Sequence, residues 1–534
     1  MDRVDTNRSH PVFIWLNQKD GTRRCRAPGV DVLWRRLWGA VANGHGSAWR
    51  CGRGGADFRG TEVLRPGGEA PGARVAEVAG GAGADARVPG TQRWRAAEAR
   101  KCPPEAEVTV AEELIAFASK GDMLAKSKEF WNPGKTQFWV DSGVPLVIDR
   151  REGYFIYDVE GKRLIDTHLN GGTYNLGHRN PEVVAAVTAA MQHFDIGNHH
   201  FPSLARTALS EVLVRTGPPG IAKVVFGSGG GEAIDIALKT ARHATKRRKI
   251  VSVAKAYHGH TGLAVAAGDE RFSTLFLADR PEEFSHVPFN DLAAMEQALR
   301  GKDVAAVIME TIPATYGFPL PAPGYLAGVK QLCERHGALY IADEVQTGLM
   351  RTGELWAISK HGVVPDILVT GKGISGGMYP ISAVLVSGSA AGWLSEDGFA
   401  HMSTFGGAEL GCVAALKTLE ITCRPEVRSM VHYISALIGD GLRRIQADYS
   451  DWFVGIRQNG VVIGLEFDHP EGAKFVMREL YENGVWAIFS TLDPRVLQFK
   501  PGVLLSHELC EDVLDRLDIA VGRARAAAKG RRQL

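Results

Sequence analysis

Five short apolar runs recur through the middle of the chain, and helix-like segments separate most of them. The runs are VVF, KIVSV, VAAVIM, ALYIA and DILVT. Runs this short, rich in β-branched residues and without polar alternation, are typical of strands buried on both faces. Strands alternating with helices predict an α/β fold, with a mostly parallel central sheet covered by helices. Because ligands of such sheets bind at the carboxyl ends of the strands, the residues directly after each run are the candidates for a functional site.

The length of 534 residues predicts more than one domain, because a single hydrophobic core rarely grows so large. Near the C-terminus, VVIGLEF followed by the helix-like EGAKFVMRELYENG indicates a smaller α+β domain. We expect a large domain at 201–420 and a C-terminal small domain at 421–534. Residues 126–200 are expected to supply the N-terminal part of the small domain and an access loop.

Residues 1–125 form an atypical N-terminal extension. Between Lys19 and Lys101 there is no Lys, Ile, Met or Tyr, whereas Gly, Ala and Arg are abundant. A segment with so few bulky apolar groups cannot offset the entropy of ordering, so we expect it to be partly disordered. Two interpretations stay open for residues 20–100: a GC-rich gene translated in a shifted frame, or a natural flexible linker.

Composition excludes several classes of function. The net charge of +2 gives no reason to expect nucleic-acid or membrane partners, and no apolar stretch approaches the ~18 residues of a membrane span. The start, MDRVDTNRSH, lacks the pattern of a secretory signal. Seven scattered cysteines without a C-x-x-C pair predict free thiols in a reducing compartment. A cytoplasmic enzyme is the expectation, with binding and structural roles still open.

Three features fall at the carboxyl ends of the apolar runs. The first is the glycine turn FGSGGGEA, which opens a helix and offers backbone N–H groups to a phosphate. It is not a dinucleotide fingerprint, because Glu232 stands where the third glycine belongs. The second is Asp343, directly after LYIA, and the third is Lys372, shortly after DILVT. A nucleotide P-loop is excluded at Lys372, since Gly373 follows it in place of Ser or Thr.

A lysine, an aspartate and a phosphate-binding turn at neighbouring strand ends suit pyridoxal 5'-phosphate (PLP). This cofactor needs an amine for a Schiff base, a carboxylate that keeps its ring nitrogen protonated, and an anion site for its phosphate. Each residue alone has an ordinary interpretation, since most lysines are solvated and glycine turns often serve packing. The three together favour a PLP enzyme, and no metal site forms part of this prediction.

Four motifs carry a family resemblance: AYHGHTG, IADEVQTGLMRTG, GKGISGGMYPISAVL and STFGGAELG. In this order they resemble the class III (ornithine- and 4-aminobutyrate-type) aminotransferases of PLP fold type I, from about Trp131 to the C-terminus. The resemblance implies that 201–420 is the PLP-binding domain. It also implies that Lys372 is the Schiff-base lysine and proton carrier, and that Asp343 is the partner of the ring nitrogen.

The resemblance implies further cofactor contacts. Gln346 would reach the ring hydroxyl, Tyr257 would stack on the ring, and Gly230 and Gly231 would bind the phosphate through backbone amides. The remaining expected cofactor contacts are His258, Ser228 and Thr404. Because the matching threonine in the family reaches the phosphate of the neighbouring subunit, a homodimer with shared active sites is expected.

Two departures from the family concern the substrate. Ornithine- and 4-aminobutyrate-type members often carry an arginine in R-F-x-P-P-L that grips a carboxylate, and a glutamate that holds this arginine aside. The matching residues here are Gln498, in LQFKPGVLL, and Thr315. We therefore expect either another cation, with Lys500 the nearest candidate, or neutral and bulky substrates. Trp131, Thr173 and Tyr174 are expected to line a roomy apolar pocket.

The predicted activity is transfer of an amino group from an amine or amino acid to an aldehyde or ketone by a ping-pong mechanism, with relatives expected in secondary metabolism. One alternative is an aminomutase (glutamate-1-semialdehyde type) or epimerase on the same fold, which needs no second carbonyl substrate. The non-enzymatic alternative is a PLP-binding regulatory or scaffold protein.

Overall fold

The computed structural model describes residues 116–531, with side chains up to residue 529. All of these residues belong to one compact unit of the chain. Of the extension expected at 1–125, residues 116–125 are described, and helix Lys120–Phe130 begins within them. The shifted-frame hypothesis for 20–100 lies outside the described residues.

The strands of the described part are numbered in chain order. They are β1 Ile148–Glu152, β2 Phe155–Asp158, β3 Arg163–Asp166, β4 Ile221–Gly227, β5 Lys249–Val253, β6 Phe284–Val287, β7 Val304–Glu310, β8 Leu339–Asp343, β9 Ile367–Thr370, β10 Ser382–Ser387, β11 Phe453–Asn459, β12 Val462–Phe467, β13 Val485–Trp486, β14 Ile488–Ser490 and β15 Asp493–Phe499.

The helices between and around these strands are of two kinds. The α-helices are Lys120–Phe130, Pro133–Asp141, Leu169–Gly172, Pro181–Ala190, Leu204–Thr216, Gly230–Thr245, Gly262–Ala267, Glu270–Ser273, Leu292–Leu299, Tyr325–His336, Trp393–Glu396, Glu409–Thr422, Pro425–Asp448, Gly472–Glu482 and His507–Arg531. Short 3₁₀ helices cover Thr274–Phe276, Ala357–His361 and Lys372–Ser375.

The central sheet has seven strands in the order β4-β10-β9-β8-β7-β5-β6. Strands β9, β8, β7, β5 and β6 run parallel, and β10 is antiparallel to both β4 and β9. Every residue of β7 is buried, as its uninterrupted apolar run predicts. Helix Gly230–Thr245 packs across strands β7 to β10 through the buried face predicted for it, which includes Ala233, Ile236, Ala237 and Ala241. The mostly parallel, helix-covered sheet is confirmed.

Two smaller sheets share a second core. Their strand orders are β1-β2-β3-β13 and β11-β12-β15-β14. The parallel pairing of Ile165 with Val485 joins chain segments that are far apart in sequence. Helices Pro425–Asp448, Gly472–Glu482 and His507–Arg531 contribute many of the apolar side chains of this core. The α+β character predicted for the smaller region is confirmed, and the boundaries 126–200, 201–420 and 421–534 stay a prediction.

Two structural observations concern the cysteines and the membrane. The four described cysteines, Cys333, Cys412, Cys423 and Cys510, are free thiols. Among the described residues, no helix is both long enough and apolar enough to cross a membrane.

Candidate active site

Strand register brings three ionisable side chains to one edge of the central sheet. Glu310 ends β7 and pairs with Asp343, which ends β8. Asp343 in turn pairs with Val369 of β9, and Lys372 follows that strand. Because parallel strands end at the same edge, residues far apart in the chain converge there. Together they line a cavity of about 240 Å³, here called the lysine cavity. Its walls include Gly230, Gly231, Tyr257, His258, Glu310, Asp343, Val345, Gln346 and Lys372.

Lys372 occupies a strained backbone position with φ of 43° at the start of a 3₁₀ turn. Its aliphatic stem packs so tightly on Gly171 that a Cβ added there would lie 2.9 Å from Lys372 Cε. Among the described residues, Lys372 Nζ has no hydrogen bond or ion pair. Desolvation lowers the pKa of Lys372, against the opposing effect of the nearby carboxylates of Asp343 and Glu310. A lowered pKa favours the neutral amine, which is the nucleophilic form.

Asp343 is held in place from two sides. One of its oxygens, Oδ2, lies 2.8 Å from His258 Nδ1, and the other accepts the N–H of Val345 at 3.0 Å. His258 Nε2 lies 3.3 Å from Ser252 Oγ, so the imidazole bridges a hydroxyl and the carboxylate. These contacts fit a tautomer in which Nδ1–H donates to Asp343 and Nε2 accepts from the hydroxyl of Ser252. Asp343 is only 4% exposed, and this chain of contacts fixes the orientation of its carboxylate.

Glu310 is a residue of the cavity that the motifs did not reveal. Its carboxylate is buried and accepts the N–H groups of Tyr257 at 3.0 Å and Ala314 at 3.1 Å. Burial, followed by the negative charge of Asp343, raises the pKa of Glu310 to about 7. A signal was present, because Glu310 follows the apolar run VAAVIM as Asp343 follows LYIA.

The glycine turn supplies one end of the lysine cavity. Helix Gly230–Thr245 begins there, and its N-cap, Gly229, offers no side-chain cap. A Cβ on Gly231 would lie 2.8 Å from Thr261 Oγ1, so this close approach requires glycine. The unpaired N–H groups of a helix start favour an anion. Ser228, the cofactor contact expected in this turn, is not among the described lining residues, and its hydroxyl and its N–H both donate to Glu232 Oε2.

Two further side chains show that the lysine cavity fits PLP. Gln346 Oε1 is buried and has no hydrogen-bond partner within the described part of the chain. Leaving such an oxygen unpaired is costly, so it fits a hydroxyl donor such as that of the PLP ring. Tyr257 lines the same cavity and is flanked edge-on by His260 and Phe272, at 5.2 Å and 5.6 Å between ring centroids. The lysine cavity thus brings together a lysine, a carboxylate, a hydroxyl acceptor, an aromatic face and an anion site.

Comparison with known families decides the assignment. The model of the family described as aminotransferase class-III matches residues 139–521. The chain belongs to the class III aminotransferases. A protein described as an uncharacterized aminotransferase from Archaeoglobus fulgidus is 42% identical over 398 residues, which is 74% of this chain and 93% of that protein.

Solved structures agree with the class III assignment. The ornithine aminotransferase of Toxoplasma gondii superimposes with a TM-score of 0.72 at 26% identity, over 79% of this chain and 100% of that one. A second structure of that enzyme is described as having partial occupancy of PLP at its active site. The N-acetylornithine aminotransferase of Stenotrophomonas maltophilia gives a TM-score of 0.62 at 26% identity, over 72% of this chain and 97% of that one. The aminotransferase has PLP fold type I and PLP is its cofactor.

The position of the carboxylate-gripping arginine is electrically neutral in this aminotransferase. Gln498 donates through Nε2 to the carbonyl of Ala314 at 3.1 Å, next to Thr315. Its Oε1 accepts a hydrogen bond from Lys500 Nζ at 2.6 Å. Lys500 is 1% exposed, and burial followed by the charges of Arg351 and Lys372 holds its pKa well below the usual value. Lys500, the cation expected to bind a substrate carboxylate, therefore donates its hydrogen bond to Gln498 instead.

The remaining predicted site residues do not all lie near one another. Tyr174 stacks on His178, with 4.0 Å between ring centroids, and the Thr173 hydroxyl donates to the carbonyl of Asn170. Trp131 does not join them, since it is the C-cap of the helix Lys120–Phe130 and is 68% exposed. Thr404 is exposed and does not line the lysine cavity of its own chain.

Proposed function

We propose that this class III aminotransferase works by a ping-pong mechanism at the lysine cavity. An amino group would pass from an amine or amino-acid donor to the cofactor, and then to an aldehyde or ketone acceptor. The observation that carries the proposal is the meeting of Lys372, with its lowered pKa, and the clamped carboxylate of Asp343 in a cavity of about 240 Å³.

The residues of the cavity divide the work. When bound, PLP would supply an acceptor for the electron pair that the substrate carbon releases as it loses a proton. Lys372, as a neutral amine, would take that proton at Nζ and return it. Asp343 would stabilise a proton on the ring nitrogen, and its contact with His258 keeps the carboxylate aimed. The N–H groups of Gly230 and Gly231 would bind the phosphate.

A homodimer with shared active sites is part of the proposal. Thr404 is exposed, and large apolar side chains flank it: Phe399, Met402 and Phe405 are 64%, 57% and 56% exposed. Exposed apolar side chains clustered in one loop favour a protein–protein contact. The proposal places Thr404 of one subunit at the phosphate of the other. A cytoplasmic setting is also proposed, on the free thiols of the described cysteines.

Borohydride reduction of the holoenzyme, followed by peptide mapping, tests the site. The expected result is one PLP-labelled peptide, carrying the label on Lys372. Label on any other lysine, or no label, would contradict the proposal.

Half-reactions test the ping-pong step. The holoenzyme is mixed with single amines and the visible absorbance of its cofactor is followed. The expected result is loss of that absorbance with a reactive amine, and its return only when a carbonyl acceptor is added. Return without an acceptor would favour the aminomutase, in which one molecule is both donor and acceptor.

A further inference from the structure

A second cavity, of about 410 Å³, lies among the smaller sheets and is here called the aromatic cavity. Apolar and aromatic side chains dominate its walls: Trp139, Ile148, Ile156, Tyr174, Trp486 and Ile488. Trp139 meets Trp486 edge to face, with 5.4 Å between ring centroids. An apolar cavity of about 150 Å³ already holds a benzene ring, so this one has room for an aryl group with its linker.

The aromatic cavity adjoins the reactive lysine. Asn170 lines it, and the next residue, Gly171, packs on the stem of Lys372. His168 also lines it, and burial, with smaller contributions from the nearby Lys500 and Lys372, holds the pKa of His168 well below its usual value. Asn170, with φ of 48°, is in a strained conformation of the kind that clusters at functional sites. One turn of chain thus borders both the cavity and the lysine.

The carboxylate that lines the aromatic cavity is compensated by neighbouring groups. Asp166 accepts the N–H groups of His168 and Leu169 on one oxygen and lies 2.8 Å from His178 Nε2 on the other. The Nδ1 atoms of His168 and His178 are buried and have no hydrogen-bond partner in the described part of the chain. Arg151, exposed on β1, is the cation among the described lining residues. Among the described lining residues there is no buried arginine that could grip a substrate carboxylate.

We infer that the aromatic cavity binds the uncharged aryl or bulky alkyl end of the amine or carbonyl substrate, which names the substrate class of the proposed aminotransferase and rests on that function. Two independent features support this assignment. The cavity is apolar and large beside Lys372, and the neighbouring Gln498 forms a neutral link where a carboxylate clamp is expected. The two unpaired imidazole nitrogens would meet a hydroxyl or amine on the ring.

Binding is tested first with a compound that cannot react. Calorimetry measures the affinity of the holoenzyme for 3-phenylpropan-1-ol, which has the aryl end and no amine. Trp486→Ala removes a wall, and Ile148→Trp fills the cavity from its rim. Each is expected to weaken binding at least about fivefold through lost or blocked apolar contact. Phe276→Ala, at a side chain that is 70% exposed elsewhere, is the matched control and is expected to change nothing.

Rates then separate this inference from the proposed function. In half-reactions, the visible absorbance of the cofactor is expected to fall at least about tenfold faster with 3-phenylpropylamine than with propylamine at the same concentration. The reason is that 3-phenylpropylamine has a ring that the cavity desolvates, whereas propylamine has none. Trp486→Ala and Ile148→Trp should lower that ratio, and Phe276→Ala should not. Equal alcohol binding by all variants, or reaction of propylamine without any preference for the phenyl compound, overturns the inference and leaves the aminotransferase proposal intact. If the alcohol binds as expected but Lys372 carries no PLP label and no amine reacts, the aromatic cavity binds an aryl group and the proposed activity fails.

Discussion

The two sides of the active site are built in different ways. On the cofactor side, Glu310, Asp343 and Lys372 each stand at the end of a parallel strand, and neighbouring strands set their spacing. On the substrate side, Gln498 comes from the smaller region and bonds to Ala314, 184 residues earlier in the chain. The first arrangement follows from the pairing of a rigid sheet, and the second depends on how two regions pack.

This difference separates the residues that act on the cofactor from the residues that select the substrate. A residue at a strand end can hardly move without disturbing the register of the whole sheet, so the cofactor groups stay fixed. Gln498, Lys500 and the walls of the aromatic cavity can change without touching that register. The same fold can therefore keep one reaction and accept new substrates. Variants that act on one side and spare the other test this division.

The largest effect is expected from Lys372 on the cofactor side, and Lys500 on the substrate side serves as its comparison. Lys372→Met removes the amine that carries the proton and is expected to lower turnover by about 10⁴-fold or more. Lys500→Met removes a lysine that bonds to Gln498, and turnover should stay within about tenfold of the wild type, because no transition-state contact is lost. The measurement is kcat on the best donor–acceptor pair. Similar losses of kcat in the two variants would contradict the proposed division between the cofactor side and the substrate side.

The next effect concerns the carboxylate on the cofactor side. Asp343→Asn keeps the shape but removes the negative charge that stabilises the ring proton, and kcat is expected to fall about 10²- to 10³-fold. His258→Asn disturbs only the aim of Asp343, so its loss should be closer to tenfold. Single-turnover rates with one amine compare the two variants. Equal losses would mean that the charge of Asp343 matters less than its position.

Much of the cofactor side can be predicted from the sequence. Asp343 and Lys372 follow apolar runs, and parallel pairing makes such residues neighbours. Glu310 has the same local signal, yet its motif, METIPATYG, does not distinguish it from an ordinary strand end. Ser228 shows a competition that the sequence does not reveal, because its hydroxyl donates to Glu232, four residues later in the chain. Local competition of this kind depends on side-chain conformation, which strand and helix patterns do not contain.

The substrate side could not be predicted in the same way. Trp131 and Trp139 are both aromatic residues near the end of a short helix, and only the packing of those helices shows that Trp139 lines a cavity while Trp131 is exposed. Substitution of the arginine by Gln498 is visible in the sequence, but its bond to Lys500 is not. Contacts of this kind can be identified only from the folded structure.

A smaller effect is expected from restoring an arginine to the substrate side. Gln498→Arg alone removes the oxygen that accepts the hydrogen bond of the buried Lys500 amine, and leaving that amine unpaired should limit any gain with glutamate. The double variant Gln498→Arg with Lys500→Met removes the unpaired amine. It is expected to raise kcat/KM for glutamate about 10- to 100-fold relative to 3-phenylpropylamine, since a bidentate contact to a carboxylate becomes available. Equal changes for the two donors would show that position 498 does not face the substrate carboxylate.

The smallest effect is one of stability. Lys500 is fully buried, has no carboxylate partner among the described residues, and has a pKa well below its usual value because of burial and two nearby cations. Between that lowered value and about 10.4, the unfolded chain binds a proton that the folded chain does not. Stability should therefore rise with pH in this window and fall as the pH is lowered. Lys500→Met removes the penalty, so it should be about 1–2 kcal/mol more stable at pH 7 and should approach the wild type near pH 10.

Denaturant midpoints of the holoenzyme and of the Lys500→Met variant, measured from pH 6 to pH 10, check this stability effect. Lys223→Met, at an exposed strand position, is the matched control and should run parallel to the wild type. A Lys500→Met variant that is less stable at pH 7 would mean that the bond from Lys500 to Gln498 outweighs the cost of burying the amine. The substrate side would then be held as firmly as the cofactor side, and its residues would be less free to change than their separation from the sheet register implies.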